Sequence, residues 1–255
     1  MAKAPYFSII IPCLNEEKRL PFLLKDLNAQ SFQDFEVIIV DGQSTDQTVS
    51  KAKEYQTLFP SLTILSSKIK NVSVQRNMGA KVAKGELLLF NDADNRLPIS
   101  FLNQLHNQTT HFHPDIFSVY MQTKTSNLVA AFSLFAINFY TRLQQNSPSP
   151  YVVEALFGFK KEVFHKLNGF RADLPISEGT DILKRSKKLG FIFKVFTKPK
   201  YTFSLRRLEK EGLLKMSLNI FKIELLRFLG RPLTPKEAAK IYPMNGGNYY
   251  DKTKI

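Results

Sequence analysis

At 255 residues and 44% hydrophobic content, the chain can bury a sizeable core as one domain with a C-terminal extension. Its single cysteine, Cys13, excludes an intrachain disulfide and a cysteine zinc cluster, and fits a reducing compartment. The net charge of +14 is uneven: residues 181–255 contribute +12 of it, through 18 Lys/Arg against 6 Asp/Glu.

The opening Met1-Ala2-Lys3-Ala4-Pro5 lacks the apolar core of a signal peptide. Phe7-Ser8-Ile9-Ile10-Ile11 reads as a buried strand and runs into the polar segment Pro12-Cys13-Leu14-Asn15-Glu16-Glu17. Leu20, Leu23, Leu24 and Leu27 then recur at helical spacing within 20–29. Phe35 to Val40 is a second strand, followed by Asp41-Gly42-Gln43-Ser44-Thr45-Asp46. Thr48 to Tyr55 reads as a helix capped by Thr45 or Asp46. Leu62 to Leu65 is a third strand, and Val74 to Ala83 a helix that stops before Gly85. Leu87-Leu88-Leu89-Phe90 is a fourth strand, followed at once by Asn91-Asp92-Ala93-Asp94.

Strand and helix alternate from residue 7 to 110, which argues an α/β layer with a mainly parallel sheet. In such sheets ligands bind beyond the carboxyl ends of the strands, where Asn15, Glu16, Asp41, Asp92 and Asp94 all fall. Asp92 and Asp94 are two residues apart, so an extended backbone aims both the same way. Two such carboxylates suit a hard divalent cation that also holds phosphate oxygens. An Asp-rich turn is the plainer alternative.

Four segments together resemble a known family. Pro12-x-Leu14-Asn15-Glu16, Val40-Asp41-Gly42-x-Ser44-Thr45-Asp46, Arg76-Asn77-x-Gly79-Ala80 and Asp92-Ala93-Asp94 have the order and spacing of family 2 glycosyltransferases, over residues 6 to 200. The resemblance implies the GT-A fold, a Rossmann-like, mainly parallel α/β sheet flanked by helices, and inverting sugar transfer from a nucleoside diphosphate sugar. It implies a nucleotide-sugar half over 1–110, an acceptor half over 111–205, and a basic helical extension over 206–255. By the same resemblance, the loop of Pro12, Leu14, Asn15 and Glu16 and the Asp41 carboxylate hold the nucleotide base, with a lean toward uridine, and Ser44 belongs to the donor site. Arg76 and Asn77 lie by the ribose and diphosphate, Asp92 and Ala93 by the ribose, and Asp94, with Asp92, takes Mn²⁺ or Mg²⁺. Asn15 has a loop-shaping alternative, and Asp46 a helix-capping one.

Single-displacement inversion also needs a general base for the acceptor. The resemblance implies a Glu-Asp pair before a helix, and the matching stretch is Ile176-Ser177-Glu178-Gly179-Thr180-Asp181, ahead of a helix over 182–189. Gly179 stands where the Asp of the pair is expected, so the base is Glu178 or Asp181. Asp181 is equally suited to the first helical turn through the helix dipole. Gly158-Phe159-Lys160 and Asn168-Gly169-Phe170 match the acceptor side, with glycines for tight turns or plain connections. Ser147-Pro148-Ser149-Pro150 is a stiff loop, read as a surface loop or a flap. His111 and His113 have no partner ligands in the sequence and read as surface residues.

Leu128 to Tyr140 is apolar on nearly every side, which means core or lipid contact, and its 13 residues are too few to span a bilayer. Gly212 to Leu229 is rich in Leu, Ile and Phe and flanked by Arg206, Arg207, Lys210, Arg227 and Arg231. That composition suits an interfacial helix on anionic headgroups, while a solvated basic surface is the alternative. The expectation is a metal-dependent glycosyltransferase, peripheral on the cytoplasmic face of a membrane, with a lipid-linked acceptor. The competing readings are a nucleotidyltransferase, a non-catalytic relative that binds nucleotide sugars, and a basic nucleic-acid-binding protein without a recognised module.

Overall fold

The computed structural model describes residues 3–206 apart from 126 and 175, with 212, 218, 219, 222, 226, 231 and 233–241 beyond them. In chain order the elements are β1 (Phe7–Cys13), α1 (Leu20–Asn28), β2 (Phe35–Asp41), α2 (Thr48–Lys53), β3 (Leu62–Ser66), α3 (Val72–Val82) and β4 (Leu87–Asn91). There follow α4 (Phe101–Phe112), β5 (Ile116–Gln122), α5 (Leu128–Gln144), β6 (Leu156–Lys160), α6 (Lys161–Lys166), α7 (Glu178–Lys188), β7 (Phe193–Thr202) and α8 (Pro235–Ile241).

Seven strands form one sheet in the order β3-β2-β1-β4-β6-β5-β7. β1, β2 and β4 are buried along their whole length, as parallel strands covered on both faces must be. The period-2 alternation sorts their side chains into two cores. Phe7, Ile9 and Ile11 meet Leu20, Leu23 and Leu27 of α1 and Phe101 and Leu105 of α4. Ile10, Leu88 and Phe90 point the other way, onto Ala80 of α3, Phe164 of α6 and Ile182 and Leu183 of α7. The mainly parallel α/β architecture is as the sequence led us to expect.

β6 alone runs antiparallel to both its neighbours. Its N-terminal end therefore reaches the carboxyl ends of the parallel strands: Asn91 pairs with Leu156, and the Asp92 N–H donates to the Ala155 carbonyl at 2.9 Å. Glu154 thus joins the rim where ligands bind in this class of sheet.

Several boundaries differ from the sequence reading. α3 starts two residues early because the Asn71 side chain caps it, accepting from the Val74 N–H at 3.0 Å. α7 begins at Glu178 rather than Ile182, so Glu178 and Asp181 sit in its first turn. Ser177, at φ 63°, turns the chain into it, and the Glu154 carboxylate accepts from the Gly179 N–H at 2.6 Å. A side chain from β6's approach thus satisfies an orphan helix donor, which no local pattern announces. Gly158 is no turn residue: it lies within β6. Gly169, at φ +65°, does make a turn.

α5 runs four residues longer than its apolar core, to Gln144, and buries only Ala130, Leu134, Asn138 and Thr141. Leu128, Val129, Phe132, Phe135, Phe139, Tyr140 and Leu143 are exposed, so the helix is not an interior one. Among the described residues no helix is long and apolar enough to cross a membrane. The expected interfacial segment at 212–229 lies largely outside the described residues.

Phe117 ring atoms lie 2.2–2.8 Å from where a Cβ on Gly158 would sit. Gly158→Ala must displace that core ring, and is expected to destabilise the protein by about 1–3 kcal/mol. Equilibrium urea unfolding checks this, and an unchanged midpoint would contradict it.

Candidate functional site

The loops after β1 and β2 are laced together at the carboxyl end of the sheet. Asn15, at φ 55°, takes the Ser44 hydroxyl on its N–H at 2.8 Å, and its Oδ1 accepts from the Thr45 N–H at 2.7 Å. The Glu16 N–H donates to Thr48 Oγ1 at 2.7 Å, and the Glu17 N–H to Asp46 at 3.2 Å. Asp46 also accepts from the Thr48 N–H at 3.0 Å, so it serves the start of α2. Asp41 is buried, and its Oδ2 accepts from the N–H groups of Gln43 and Ser44, each at 3.1 Å. Below them Gln75 donates to the carbonyls of Cys13 and Val40 at 2.9 and 2.7 Å, locking the ends of β1 and β2. Pro12 is the penultimate residue of β1, opposite Val40, and Leu14 is half-buried beside it. Cys13 is a buried thiol, and burial raises its pKa further from ionisation.

Arg76 projects from α3 into the interior, with 3% of its side chain exposed. Its guanidinium donates to Glu178 at 2.8 Å, to Asp92 at 3.1 Å and to the Glu154 carbonyl at 2.9 Å. The rings of Phe157 and Phe170 lie 5.6 and 5.7 Å from it. Burial pulls its pKa down, but Asp92, Glu178 and Glu154 outweigh it and hold the cation. Arg76 thus joins α3, the end of β4, the approach to β6 and the start of α7. Its Nε has no partner among the described residues.

Asn77, its neighbour, faces elsewhere: its amide brackets Phe170, donating to the carbonyl at 2.8 Å and accepting from the N–H at 2.9 Å. Asp181 also faces away from the rim, paired with Arg185 at 2.8 Å. Glu178 is on the Arg76 side. The structure therefore brings together Asn15, Glu16, Asp41, Ser44, Arg76, Asp92, Ala93, Asp94 and Glu178, but neither Asn77 nor Asp181.

A second cation closes the rim. Thr202 at the end of β7 exchanges backbone hydrogen bonds with Arg96, which delivers residues 203–206 to the mouth. Arg206 donates to Asp94 at 2.6 Å and to both oxygens of Glu16 at 3.1 and 3.2 Å. Burial and the Asp94 charge push the Glu16 pKa up to about 7, against the pull of Arg206. Asp92, 37% exposed at the mouth, is also raised, by burial and by Asp94 against Arg76.

Asp94 and Asp92 lie on one side of this mouth. Among the described residues no three His, Cys, Asp or Glu side chains converge to cage a metal ion. One or two carboxylates completed by substrate phosphates is nevertheless how Mg²⁺-type ions are commonly held, so the donor set fits an ion that arrives with a diphosphate.

The residues missed by sequence reasoning are Glu154 and, as a site residue, Arg206. Glu154 had one signal: it is the sole acid within 116–161, immediately before the run Ala155 to Phe159. Arg206 reaches Glu16 across 190 positions, and nothing local marks it.

Comparison with known proteins gives a family and a fold. The profile described as glycosyl transferase family 2 matches residues 8–167. The poly(ribitol-phosphate) beta-N-acetylglucosaminyltransferase TarS of Staphylococcus aureus is 33% identical over 119 residues, 46% of this chain and 21% of that protein. An uncharacterised glycosyltransferase of Haemophilus influenzae is 28% identical over 201 residues, 76% of this chain and 63% of that protein. The chain thus spans about a fifth of the length of TarS. The structure of S. aureus TarS 1–349 in complex with UDP-GlcNAc superposes with a TM-score of 0.65 at 20% identity, over 92% of this chain and 70% of that one. The mannosyltransferase PcManGT from Pyrobaculum calidifontis, in complex with GDP-Man and Mn²⁺, gives 0.67 at 18% identity, over 94% of this chain and 68% of that one. Both have the same GT-A glycosyltransferase fold.

Removing the Arg76 guanidinium leaves the buried Glu178 carboxylate without its counter-charge. Arg76→Ala is expected to destabilise the protein by about 3–5 kcal/mol. Thermal or chemical denaturation checks this, and a loss as small as that of a surface ion pair would contradict it.

Proposed function

The chain belongs to glycosyl transferase family 2, and from that premise we propose that it moves one sugar, with inversion, from a uridine diphosphate sugar to an acceptor hydroxyl or phosphate. The observation that carries this is the meeting of Asn15, Glu16, Asp41, Asp92 and Asp94 at the carboxyl ends of β1, β2 and β4. Neighbours of the same fold form complexes with UDP, UDP-GlcNAc and GDP-Man, which supports a nucleoside diphosphate donor.

The base lies over the laced loops of β1 and β2. A carboxylate has about four acceptor positions, so Asp41 retains capacity for a base N–H besides the two backbone donors it already serves. Asp92 takes the ribose, with Ala93 allowing close approach beside it. Asp94, with Asp92, holds Mn²⁺ or Mg²⁺, which when bound neutralises the diphosphate. Arg206 exchanges Asp94 for the phosphate oxygens, a charge-assisted pairing that guanidinium suits. Of the carboxylates read as a base, Glu178 stands at the site and Asp181 on its outer side.

The acceptor is lipid-linked, and the protein works at an anionic membrane surface. The exposed face of α5 supports this: four aromatic side chains (Phe132, Phe135, Phe139, Tyr140) stand on one helix. Residues 116–153 contain Lys124 and Arg142 and no acid, so nothing there repels anionic headgroups. At 17 residues, about 25 Å, the helix lies on a bilayer rather than crossing it.

Three measurements test these readings. In thermal-shift experiments a UDP-sugar with Mn²⁺ is expected to stabilise the wild type by mass action, and Asp94→Ala to lose that increment while keeping its own melting temperature. An Asp94→Ala protein that turns over donor at the wild-type rate would remove Asp94 as ligand. Release of pyrophosphate instead of nucleoside diphosphate would favour nucleotidyl transfer. In vesicle co-sedimentation, Phe132→Asp/Phe135→Asp is expected to release the protein from anionic liposomes. Unchanged binding would move the contact elsewhere, to the basic C-terminal segment for example.

A further inference from the structure

Glu154 precedes β6, yet its carboxyl group stands where a side chain of α7 would stand. A Cβ on Gly179 would lie 2.6 Å from Glu154 Cγ and 2.8 Å from its Oε1. The glycine leaves this space, and the Glu154 carboxylate fills it, accepting from the Gly179 N–H at 2.6 Å. The charged groups beside it are Glu178 and Arg76. The other carboxylates of the rim are engaged differently. Asp92 and Glu178 are ion-paired to Arg76, and Asp94 and Glu16 to Arg206, while Asp41 holds backbone N–H groups.

Among the described carboxyl groups around Arg76, Glu154 is the one whose side chain is not ion-paired. Glu178 has only 6% of its side chain exposed, whereas Glu154 is half-buried. We propose that Glu154 is the proton acceptor of the transfer reaction, supplying from the approach to β6 the carboxylate that α7 lacks at Gly179. Glu178 is then a positioning residue: held by Arg76, it lies beside Glu154, and its charge strengthens that carboxyl's hold on a proton.

The inference rests on the glycosyltransferase reading. In the step, the acceptor O–H bond breaks and its proton passes to Glu154. The acceptor oxygen bonds to the anomeric carbon as that carbon's bond to the phosphate oxygen breaks, and the nucleoside diphosphate leaves with the electron pair. Glu154 afterwards returns its proton to solvent. The ionisable groups facing Glu154 are Glu178 on α7 and Arg76 on α3. Burial and the Glu178 charge raise the Glu154 pKa well above the ordinary carboxylate value, against the pull of Arg76. A tighter hold on the proton makes a stronger base, and the ionised fraction grows as pH rises.

The test measures nucleoside diphosphate release from a panel of UDP- and GDP-sugars with water in the acceptor's place, alongside calorimetric titration with UDP and Mn²⁺. Glu154→Gln keeps an acceptor for the Gly179 N–H and the volume, but cannot take the proton. We expect its turnover to fall about 10²–10⁴-fold with UDP affinity unchanged. Formate should restore part of the activity of Glu154→Ala, and the wild-type rate should rise through a pKa above the carboxylate range. Wild-type turnover by Glu154→Gln would overturn the assignment. Loss of UDP affinity together with activity would overturn it too, giving Glu154 a packing role. A wild type that binds UDP but releases nucleoside diphosphate from no donor would instead overturn the glycosyltransferase reading itself.

Discussion

A guanidinium buried beneath a ligand-binding rim has to be neutralised where it lies, because an isolated charge in the interior is far costlier than any contact it could replace. Arg76 meets this constraint by drawing in Glu178, Asp92 and the Glu154 carbonyl, which come from three separate elements. The start of α7, the end of β4 and the approach to β6 are thereby fixed relative to α3. Phe157 and Phe170 cover the cation, and both belong to the same core as Phe90 and Phe164. The packed layer below the sheet and the acidic rim above it therefore meet at one side chain.

The antiparallel insertion of β6 decides which residues that cation can gather. A parallel strand in this place would present its C-terminal end to the rim. Because β6 runs the other way, residues 154 and 155 arrive there instead, and Asp92 is pinned to the Ala155 carbonyl. Glycines then make room for what arrives. Gly158 lets the Phe117 ring lie against β6, and Gly179 lets the Glu154 carboxylate lie against α7. The two glycines act through missing volume, and neither needs an unusual backbone angle.

The rim carries two cation-carboxylate groups of different character. Around Arg76 the guanidinium and Glu178 are buried, and Asp92 reaches the mouth. Around Arg206 the charges lie at the mouth, on a residue delivered by the end of β7 and paired with Asp94 and Glu16. α5 presents an aromatic, acid-free face of its own.

The sequence by itself determined the alternation of strands and helices, the parallel character of β1, β2 and β4, and the placing of Asn15, Asp41, Asp92 and Asp94 at their carboxyl ends. These follow from short-range periodicity and from the polar residues that end each apolar run, both readable in a window of a few residues. The family resemblance rested on those same segments. Tertiary structure alone decided that Asn77 serves Phe170 and Asp181 serves Arg185, that α7 starts at Glu178, and that Leu128 to Tyr140 lies mostly on the surface. It alone placed Glu154 against Gly179 and Arg206 against Asp94, pairs separated by 25 and 112 positions. Such contacts depend on which strand turns antiparallel and on where a buried charge finds its counter-charge. Both are properties of the assembled layers, and no local stretch of sequence encodes them.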